Sequence, residues 1–470
     1  MLQPMNASGQ AFDYEVAVIG GGSGGYAAAR TASDAGLKTV VIEGAKVLGG
    51  LCILHGCMPT KALLYAAEVI HHARDTSPWG VHSEKISFDF SRAMLRKDAV
   101  IEDFAEHRRA GLASGKFKLL RAHAKFLDAH TVELSNGEKL TAKNFVIATG
   151  SIIAPPPLPQ LEHIDYLTSD EALELTRLPK SLIILGGGAI GSEFAQFMSR
   201  FGVEVTLIQR SAHVLHDFDT DMAQVIEKVF RREGVKLFTG TKLLDARNEH
   251  GLKTISFEQH GKTIAVSAEE VLFALGRVPN IDTLGLAHAG VHTKHGRIVT
   301  NEFMQTSAPH IFAAGDCVGP HDIVHIAVQQ GEIAGQNILK PGSRKLNSRL
   351  HVGVVFTDPH VAFTGISEKQ ARAEKVPYLA ASYPFDDHGK SIIMEQRDGF
   401  VKLLADPQSG EIIGGACIGP VGGELIHEIT IAMAARMTVH QFALIPHYHP
   451  TLAEIWTYPA EELAAKIPAH

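Results

Sequence analysis

Tyr14-Glu15-Val16-Ala17-Val18-Ile19-Gly20-Gly21-Gly22-Ser23-Gly24-Gly25-Tyr26 runs an apolar segment straight into a glycine cluster, followed by the small-residue segment Tyr26 to Ala35. The order predicts strand, tight turn, helix. Gly20, Gly22 and Gly25 fit the spacing GxGxxG. In that pattern glycine permits the turn, lets backbone approach a pyrophosphate and allows close helix packing, while the helix N-terminus offers N–H groups to the anion. A second predicted strand, Lys38 to Ile42, ends in Glu43, where a carboxylate can accept hydrogen bonds from a ribose. The pattern returns at Ser181 to Leu185, with Gly186, Gly188 and Gly191, a helix predicted over Ser192 to Phe201 and a strand over Glu204 to Ile208. One glycine fingerprint alone is weak evidence; two complete copies imply two dinucleotides and an α/β fold.

The chain has 470 residues, more than one ordinary core, and suggests about three domains at ~100 to 200 residues each. No apolar run reaches the ~18 residues of a membrane span, and Met1 to Tyr14 lacks the basic and apolar regions of a signal peptide, so the expected location is the cytoplasm. A net charge of −7 gives no reason to propose nucleic acid, which calls for a basic patch. Four cysteines in so long a chain do not make a disulfide scaffold. His71 and His72, in a polar stretch, read as solvated.

Two of those cysteines stand five positions apart in Leu48-Gly49-Gly50-Leu51-Cys52-Ile53-Leu54-His55-Gly56-Cys57-Met58-Pro59-Thr60-Lys61, directly before the apolar-rich segment Ala62 to Ala73. Pro59 suits a first helical turn. Cys57 is therefore expected at a helix entrance, where the positive dipole end favours a thiolate, a nucleophile and electron donor. Two buried structural cysteines or half of a zinc site are the alternatives; no second close Cys/His pair with zinc-ligand spacing follows.

The stretch resembles the redox-active disulfide of the FAD-dependent pyridine nucleotide-disulfide oxidoreductases, Gly-Gly-x-Cys-x-x-x-x-Gly-Cys-x-Pro-Ser/Thr-Lys, and keeps every fixed position. Leu51 departs from the family's usual threonine. The resemblance implies that Cys52 is the interchange thiol and Cys57 the thiol against the flavin, with Gly50 and Lys61 beside the cofactor. It extends to Ala148-Thr149-Gly150 beside the first dinucleotide, to Gly276-Arg277-Val278-Pro279-Asn280, and to Thr306 through Gly315-Asp316, the second FAD signature. An aspartate beside a glycine turn can accept hydrogen bonds from ribityl hydroxyls. His325 and Ala327 match the loop under the flavin pyrimidine, and Cys317 matches no redox role. Glu193 matches the glutamate that pairs with the lysine at Lys61. Phe356-Thr357-Asp358-Pro359 resembles the opening of the family's dimerisation domain. His449-Pro450-Thr451-Leu452-Ala453-Glu454 matches His-Pro-Thr-x-x-Glu, in which His449 is general acid/base and Glu454 its orienting carboxylate. A metal at His447-x-His449 is the alternative, without a carboxylate cluster to support it.

The fold so implied is two Rossmann-like domains, for FAD and NAD(P), plus a C-terminal α+β dimerisation domain. Its boundaries are 1–150 and 277–347 for FAD, 151–276 for NAD(P) and 348–470 for dimerisation. The implied enzyme is a homodimer whose active sites are shared, His449 reaching the cysteines of the other subunit. Gln209 stands where Glu43 stands in the first copy, and Arg210 follows it where a 2′-phosphate can be paired. That favours NADP over NAD, while Gly191, in place of the alanine common in NADP-binding members, and His216, in place of a second arginine, point the other way. Lys61 with Glu193 and the His-Pro-Thr-Leu-x-Glu ending make dihydrolipoamide dehydrogenase the nearest member. Mercuric reductase is its rival, another disulfide or quinone remains open, and a structural docking subunit of a lipoyl-bearing complex is the reading from another class.

Overall fold

A computed structural model of the chain describes residues 11–82 and 85–468. Most of the N-terminal segment read as lacking a signal peptide lies outside the described residues. Two compact units emerge, one built from residues 1–59, 97–154 and 276–347, the other from residues 60–96, 155–275 and 348–470.

In the first unit the strand Tyr14–Ile19 lies between Thr39–Ile42 and Lys139–Ile147, parallel to both, with Lys118–Leu120 beyond Thr39–Ile42. Val16, Ala17, Val18, Val40 and Val41 are fully buried, which is why the strands read as continuous apolar runs rather than alternating ones. Each of these valines contributes about 1.5–3 kcal/mol by leaving water. The long strand Lys139–Ile147 has two neighbours on its far edge: Thr131–Leu134 pairs antiparallel with its start, and Ile311–Ala313 pairs parallel with its end. The helix Ser23–Asp34 packs on Val324–Leu339 at backbone distance. A Cβ on Gly331 would lie 2.1 Å from the Gly24 carbonyl oxygen.

The second unit holds the parallel sheet Lys236–Phe238, Glu204–Ile208, Ser181–Leu185 and Glu270–Phe273, with the helices Ala189–Arg200 and Thr220–Arg232. It also contains the meander Thr241–Glu249, Leu252–Gln259 and Lys262–Ala268. Its C-terminal part is a five-stranded antiparallel sheet in the order Val352–Val355, His360–Gly365, Ile412–Gly419, Phe400–Ala405, Leu379–Pro384. Trp456, Phe385 and Phe442 fill the core against it.

Several element boundaries differ from the sequence expectation. Both glycine-motif helices start three residues early, at Ser23 and Ala189, because the glycine turns already carry helical hydrogen bonds, Tyr26 N to Gly22 O at 2.8 Å and Ser192 N to Gly188 O at 2.9 Å. By sequence pattern Lys118 to Phe126 and Thr131 to Leu140 each read as a strand, the second crossing the turn-favouring Asn136-Gly137; the first is not one strand. Its first half, Lys118–Leu120, extends the parallel sheet, and its second, Ala124–Phe126, pairs antiparallel with Thr131–Leu134. Between them the Arg121 guanidinium donates to the carbonyls of Ala45 and Lys46. Thr131 to Leu140 is likewise divided by the Asn136-Gly137 turn, where Gly137 has φ +86°, a backbone conformation that favours glycine.

Candidate active site

Around the first glycine loop, a Cβ on Gly20 would lie 2.3 Å from the Ala148 carbonyl oxygen and one on Gly25 1.9 Å from that of Gly20, whereas Gly22 faces open space. The first two contacts close the turn; the open face is where a pyrophosphate can approach backbone. Glu43, at the end of its strand, accepts from Gly21 N at 2.7 Å and Ala45 N at 2.8 Å. The two bonds fix the carboxylate with lone pairs to spare for ribose hydroxyls.

Farther round the same unit, the buried Thr149 Oγ1 has no hydrogen-bond partner among the described residues, and Gly150 has φ +68°. Asp316 accepts from Ser151 Oγ at 2.6 Å, and Arg277 Nε donates to the same hydroxyl oxygen at 2.9 Å. Burial pushes the Asp316 carboxyl above its ordinary range, the Ser151 hydrogen bond opposing it. Gly315 N donates to Gln330 Oε1 at 2.7 Å. His325 is exposed in the first turn of Val324–Leu339, and Gly276 has φ +115° at the return from the second glycine unit. An open glycine face, a braced carboxylate, an orphaned hydroxyl and a half-buried acid fit a dinucleotide rich in hydroxyls.

The cysteine stretch lies on this loop, for a Cβ on Gly50 would come within 3.0 Å of Gly22 Cα. Cys52 sits in the short helix Leu51–Leu54 and Cys57 is the first residue of Cys57–Arg74. Gly56 turns the chain back between them, and a Cβ there would meet Leu51 O at 3.0 Å and Cys52 Cα at 3.1 Å. Both cysteines are half-buried. Cys57 therefore has the helix N-terminus that favours its thiolate. Cys317 differs. Its sulfur donates to Ala314 O at 3.3 Å in the core, and burial pushes the thiol up to about 11, which keeps it protonated and inert.

Arg108 lies in the helix Phe90–Leu112, whose helical periodicity reads from sequence as amphipathic scaffold. Its guanidinium lies 4.6 Å from the Tyr26 ring centroid, and Nη1 is buried without a hydrogen-bond partner among the described residues. Desolvation lowers its pKa, while Tyr26 and Cys52 act electrostatically in the other direction. No motif marks this position, because a cation every few residues is ordinary on an amphipathic helix.

In the second unit, the second glycine loop repeats the first. A Cβ on Gly186 would lie 2.4 Å from Ala274 O and one on Gly191 1.9 Å from Gly186 O, while Gly188 faces open space. Gln209 Oε1 accepts from Gly187 N at 2.9 Å, the bond that Glu43 makes to Gly21, with a neutral amide in place of a carboxylate. Arg210 is exposed, and His216 pairs with Asp217 at 3.2 Å. Lys61 Nζ donates to both oxygens of the buried Glu193, at 2.9 and 2.8 Å, and lies 4.6 Å from the Phe356 ring centroid. Glu193 also accepts from Phe356 N at 2.9 Å.

His449 is 78% exposed, and its Nδ1 lies 3.1 and 3.0 Å from the oxygens of buried Glu454. A proton on Nδ1 donated to that carboxylate leaves the Nε2 lone pair for an incoming proton. His447 is committed elsewhere, Nε2 to Glu428 at 2.5 Å and Nδ1 to Ile445 O at 2.9 Å. Among the described residues no group of three His, Cys, Asp or Glu is placed to hold a metal ion.

Comparison with known proteins adds the chemistry. The family model for pyridine nucleotide-disulphide oxidoreductases matches residues 14–331, and the model for the dimerisation domain of the same family matches residues 352–460. Over 465 residues the sequence is 35% identical to the dihydrolipoyl dehydrogenase of Geobacillus stearothermophilus, covering 98% of each chain. It is 33% identical over 429 residues to a mercuric reductase of Staphylococcus aureus, covering 91% of this chain and 78% of that protein. The crystal structure of LpdA from Mycobacterium tuberculosis superposes with a TM-score of 0.84 at 28% identity, across 95% of this chain and 99% of that one.

Proposed function

The chain belongs to the pyridine nucleotide-disulphide oxidoreductase family, FAD- and nicotinamide-dependent enzymes, and on that premise we propose that it oxidises dihydrolipoamide through Cys52 and Cys57. FAD, when bound, supplies reversible two-electron transfer between the cysteine pair and the nicotinamide. A substrate thiolate attacks Cys52 Sγ of the Cys52–Cys57 disulfide, forming a mixed disulfide and releasing the Cys57 thiolate, which the helix N-terminus favours. The second substrate thiol attacks its own mixed-disulfide sulfur, closing the cyclic disulfide and releasing Cys52. His449, oriented by Glu454, takes the proton of each substrate thiol in turn and passes the first to the departing Cys52 sulfur, so that it holds one proton at a time.

The observation that carries this reading is the bidentate pairing of Lys61, one turn after Cys57 in the same helix, with Glu193. The buried carboxylate fixes the ammonium through two charge-assisted hydrogen bonds, and in this reading a positive charge beside the isoalloxazine raises the flavin's electron affinity. Gly20, Gly22, Gly25, Glu43, Gly50, Thr149, Gly150, Gly276, Gly315, Asp316 and His325 form the FAD site in this reading, and Gly186, Gly188 and Gly191 the nicotinamide site. The domain boundaries are those expected above. NADP is the preferred nicotinamide cofactor, because the Gln209 amide removes the charge that repels a 2′-phosphate and Arg210 can pair it. The working unit is a homodimer in the cytoplasm, His449 serving the cysteines of the second copy. Among the described residues no helix is long and apolar enough to cross a membrane.

Anaerobic reduction of the purified flavoprotein by dihydrolipoamide, NADPH and NADH in turn tests the proposal. Long-wavelength absorbance after dihydrolipoamide is the expected result, with NADPH the faster nicotinamide. Flavin reduction by NADPH or NADH alone removes the dithiol assignment. Similarity to a mercuric reductase supports a second reading, reduction of a thiophilic metal ion, and Hg(II)-dependent NADPH oxidation without lipoamide activity would favour it. A yellow protein with neither activity points to the docking subunit instead.

A further inference from the structure

Glu454 has a second imidazole beside it. His388, between the strand Leu379–Pro384 and the short helix Gly389–Ile393, has a fully buried side chain whose Nε2 lies 3.4 Å from Glu454 Oε1. Its Nδ1 is 2.9 Å from the hydroxyl of Ser391, which is also buried. Nε2 itself has no aligned hydrogen-bond partner among the described residues. His449 meets the same carboxylate from the exposed side of the chain. One buried carboxylate thus stands between an exposed imidazole and a sealed one.

The neighbours determine where the buried ring carries its proton. A Ser391 hydroxyl that donates to Nδ1 places the ring's own proton on Nε2, toward Glu454; the opposite tautomer would aim a lone pair at a carboxylate. Burial holds His388 below the ordinary imidazole range, with the Glu454 charge and hydrogen bond and a contact to the Thr451 backbone pulling the other way and His449 adding to the depression. The ring is therefore neutral where an exposed histidine titrates. Around it stand the Tyr458 ring, edge-on with centroids 6.4 Å apart, and Phe385, also edge-on at 6.3 Å. Tyr383, stacked on Tyr458, has its hydroxyl 2.9 Å from Asp387 Oδ2. Asp387, the residue before His388 in the chain, is thus engaged by a tyrosine hydroxyl.

We propose that His388 is a positioning residue, a neutral imidazole that presents its Nε2 proton to Glu454, so that the carboxylate is shared and the basicity of His449 is set by both partners. The inference rests on the reading of His449 as the acid/base. With His388 present, part of the carboxylate's charge is drawn inward, and less of it falls on His449. Without it, the full charge falls on His449 and stabilises the imidazolium.

Titration of His449 by NMR in the histidine-labelled, FAD-loaded dimer tests this, with the signal assigned through His449→Gln. In His388→Leu the His449 pKa is expected to rise by about half a unit to one unit, the part of a charged-group hydrogen bond that reaches it through the carboxylate. His388→Asn keeps an N–H donor and is expected to stay within about 0.3 unit of the wild type. An unchanged His449 pKa in His388→Leu overturns the proposal. If that variant does not fold, the ring nitrogen shifts of wild-type His388 decide, because a neutral Nδ1–H tautomer is incompatible with it. Turnover of dihydrolipoamide by His449→Gln at the wild-type rate would remove the acid/base reading instead, without touching the titration result.

Discussion

Cys52→Ser removes the sulfur proposed to meet the substrate but leaves the glycine loops untouched. Dithiol turnover is expected to vanish while FAD stays bound and NADPH still reduces it, readable in one stopped-flow series; loss of the flavin would contradict the assignment. His449→Ala is expected to leave nicotinamide reduction intact and slow the dithiol half-reaction by roughly 10² to 10⁴, the range of a lost acid/base. Cys317 gives the negative control. With its thiol pushed up to about 11 in the core, it is expected to resist iodoacetamide in the native protein at pH 8 while reduced Cys52 reacts. At this scale the sequence was legible where chemistry demands fixed spacing, as in the glycines, Cys52 to Cys57 and His449 to Glu454. It was silent on His388 and Arg108. Both reach the site through tertiary packing, and neither stands at a distance along the chain that any local motif records.

Elements add constraints that single residues do not. Gly22 and Gly331 are both glycines near the first nucleotide loop, yet only one touches a neighbour closely. Gly22→Ala is expected to preserve the melting temperature of the flavin-free protein while abolishing FAD retention, since its Cβ enters the open face. Gly331→Ala forces the helices Ser23–Asp34 and Val324–Leu339 apart and is expected to cost about 1–3 kcal/mol, as overpacking does. Thermal melts with and without FAD separate the two.

The helix Ala189–Arg200 ends in a buried ion cluster. Arg200 lies 2.7 Å from Glu233 and 2.8 Å from Asp358. Burial works to raise the Asp358 carboxyl, but the Arg200 charge and hydrogen bond outweigh it and hold the carboxyl below its ordinary range. The stabilisation from Asp358 is present above the unfolded carboxylate pKa of about 3.9 and is lost as pH falls through the lower folded value. Arg200→Met strands two acids and is expected to cost about 3–5 kcal/mol at pH 7, a difference that narrows below pH ~4 as Asp358 protonates. Chemical denaturation at both pH values measures it. Helices and parallel strands were legible from apolar runs and glycine spacing. The division of Lys118 to Phe126 was not, because either half satisfies a strand pattern and only the neighbours decide which sheet each joins.

For the whole molecule, the expectation is that two chains make one active site. Cys52→Ser and His449→Ala, each inactive, are expected to complement when their subunits are exchanged: half of the dimers are mixed, each with one intact site, so about a quarter of wild-type turnover returns. No recovery, with exchange verified by mass, would place His449 and the cysteines on the same chain. The two-loop architecture was legible because the glycine pattern occurs twice in full. The joining of residues 277–347 to the first nucleotide domain was legible in its motifs, but the grouping of residues 60–96 with the second unit was not, since it depends on contacts between segments far apart in sequence. That interleaving has a consequence during synthesis. Cys52 and Cys57 leave the ribosome early, but Ile311–Ala313, which completes the sheet beside Lys139–Ile147, and the acid Asp316 come much later. At about 5–20 residues per second that is a delay of roughly ten to fifty seconds, during which a nascent chain displays two reactive thiols with no finished flavin pocket behind them.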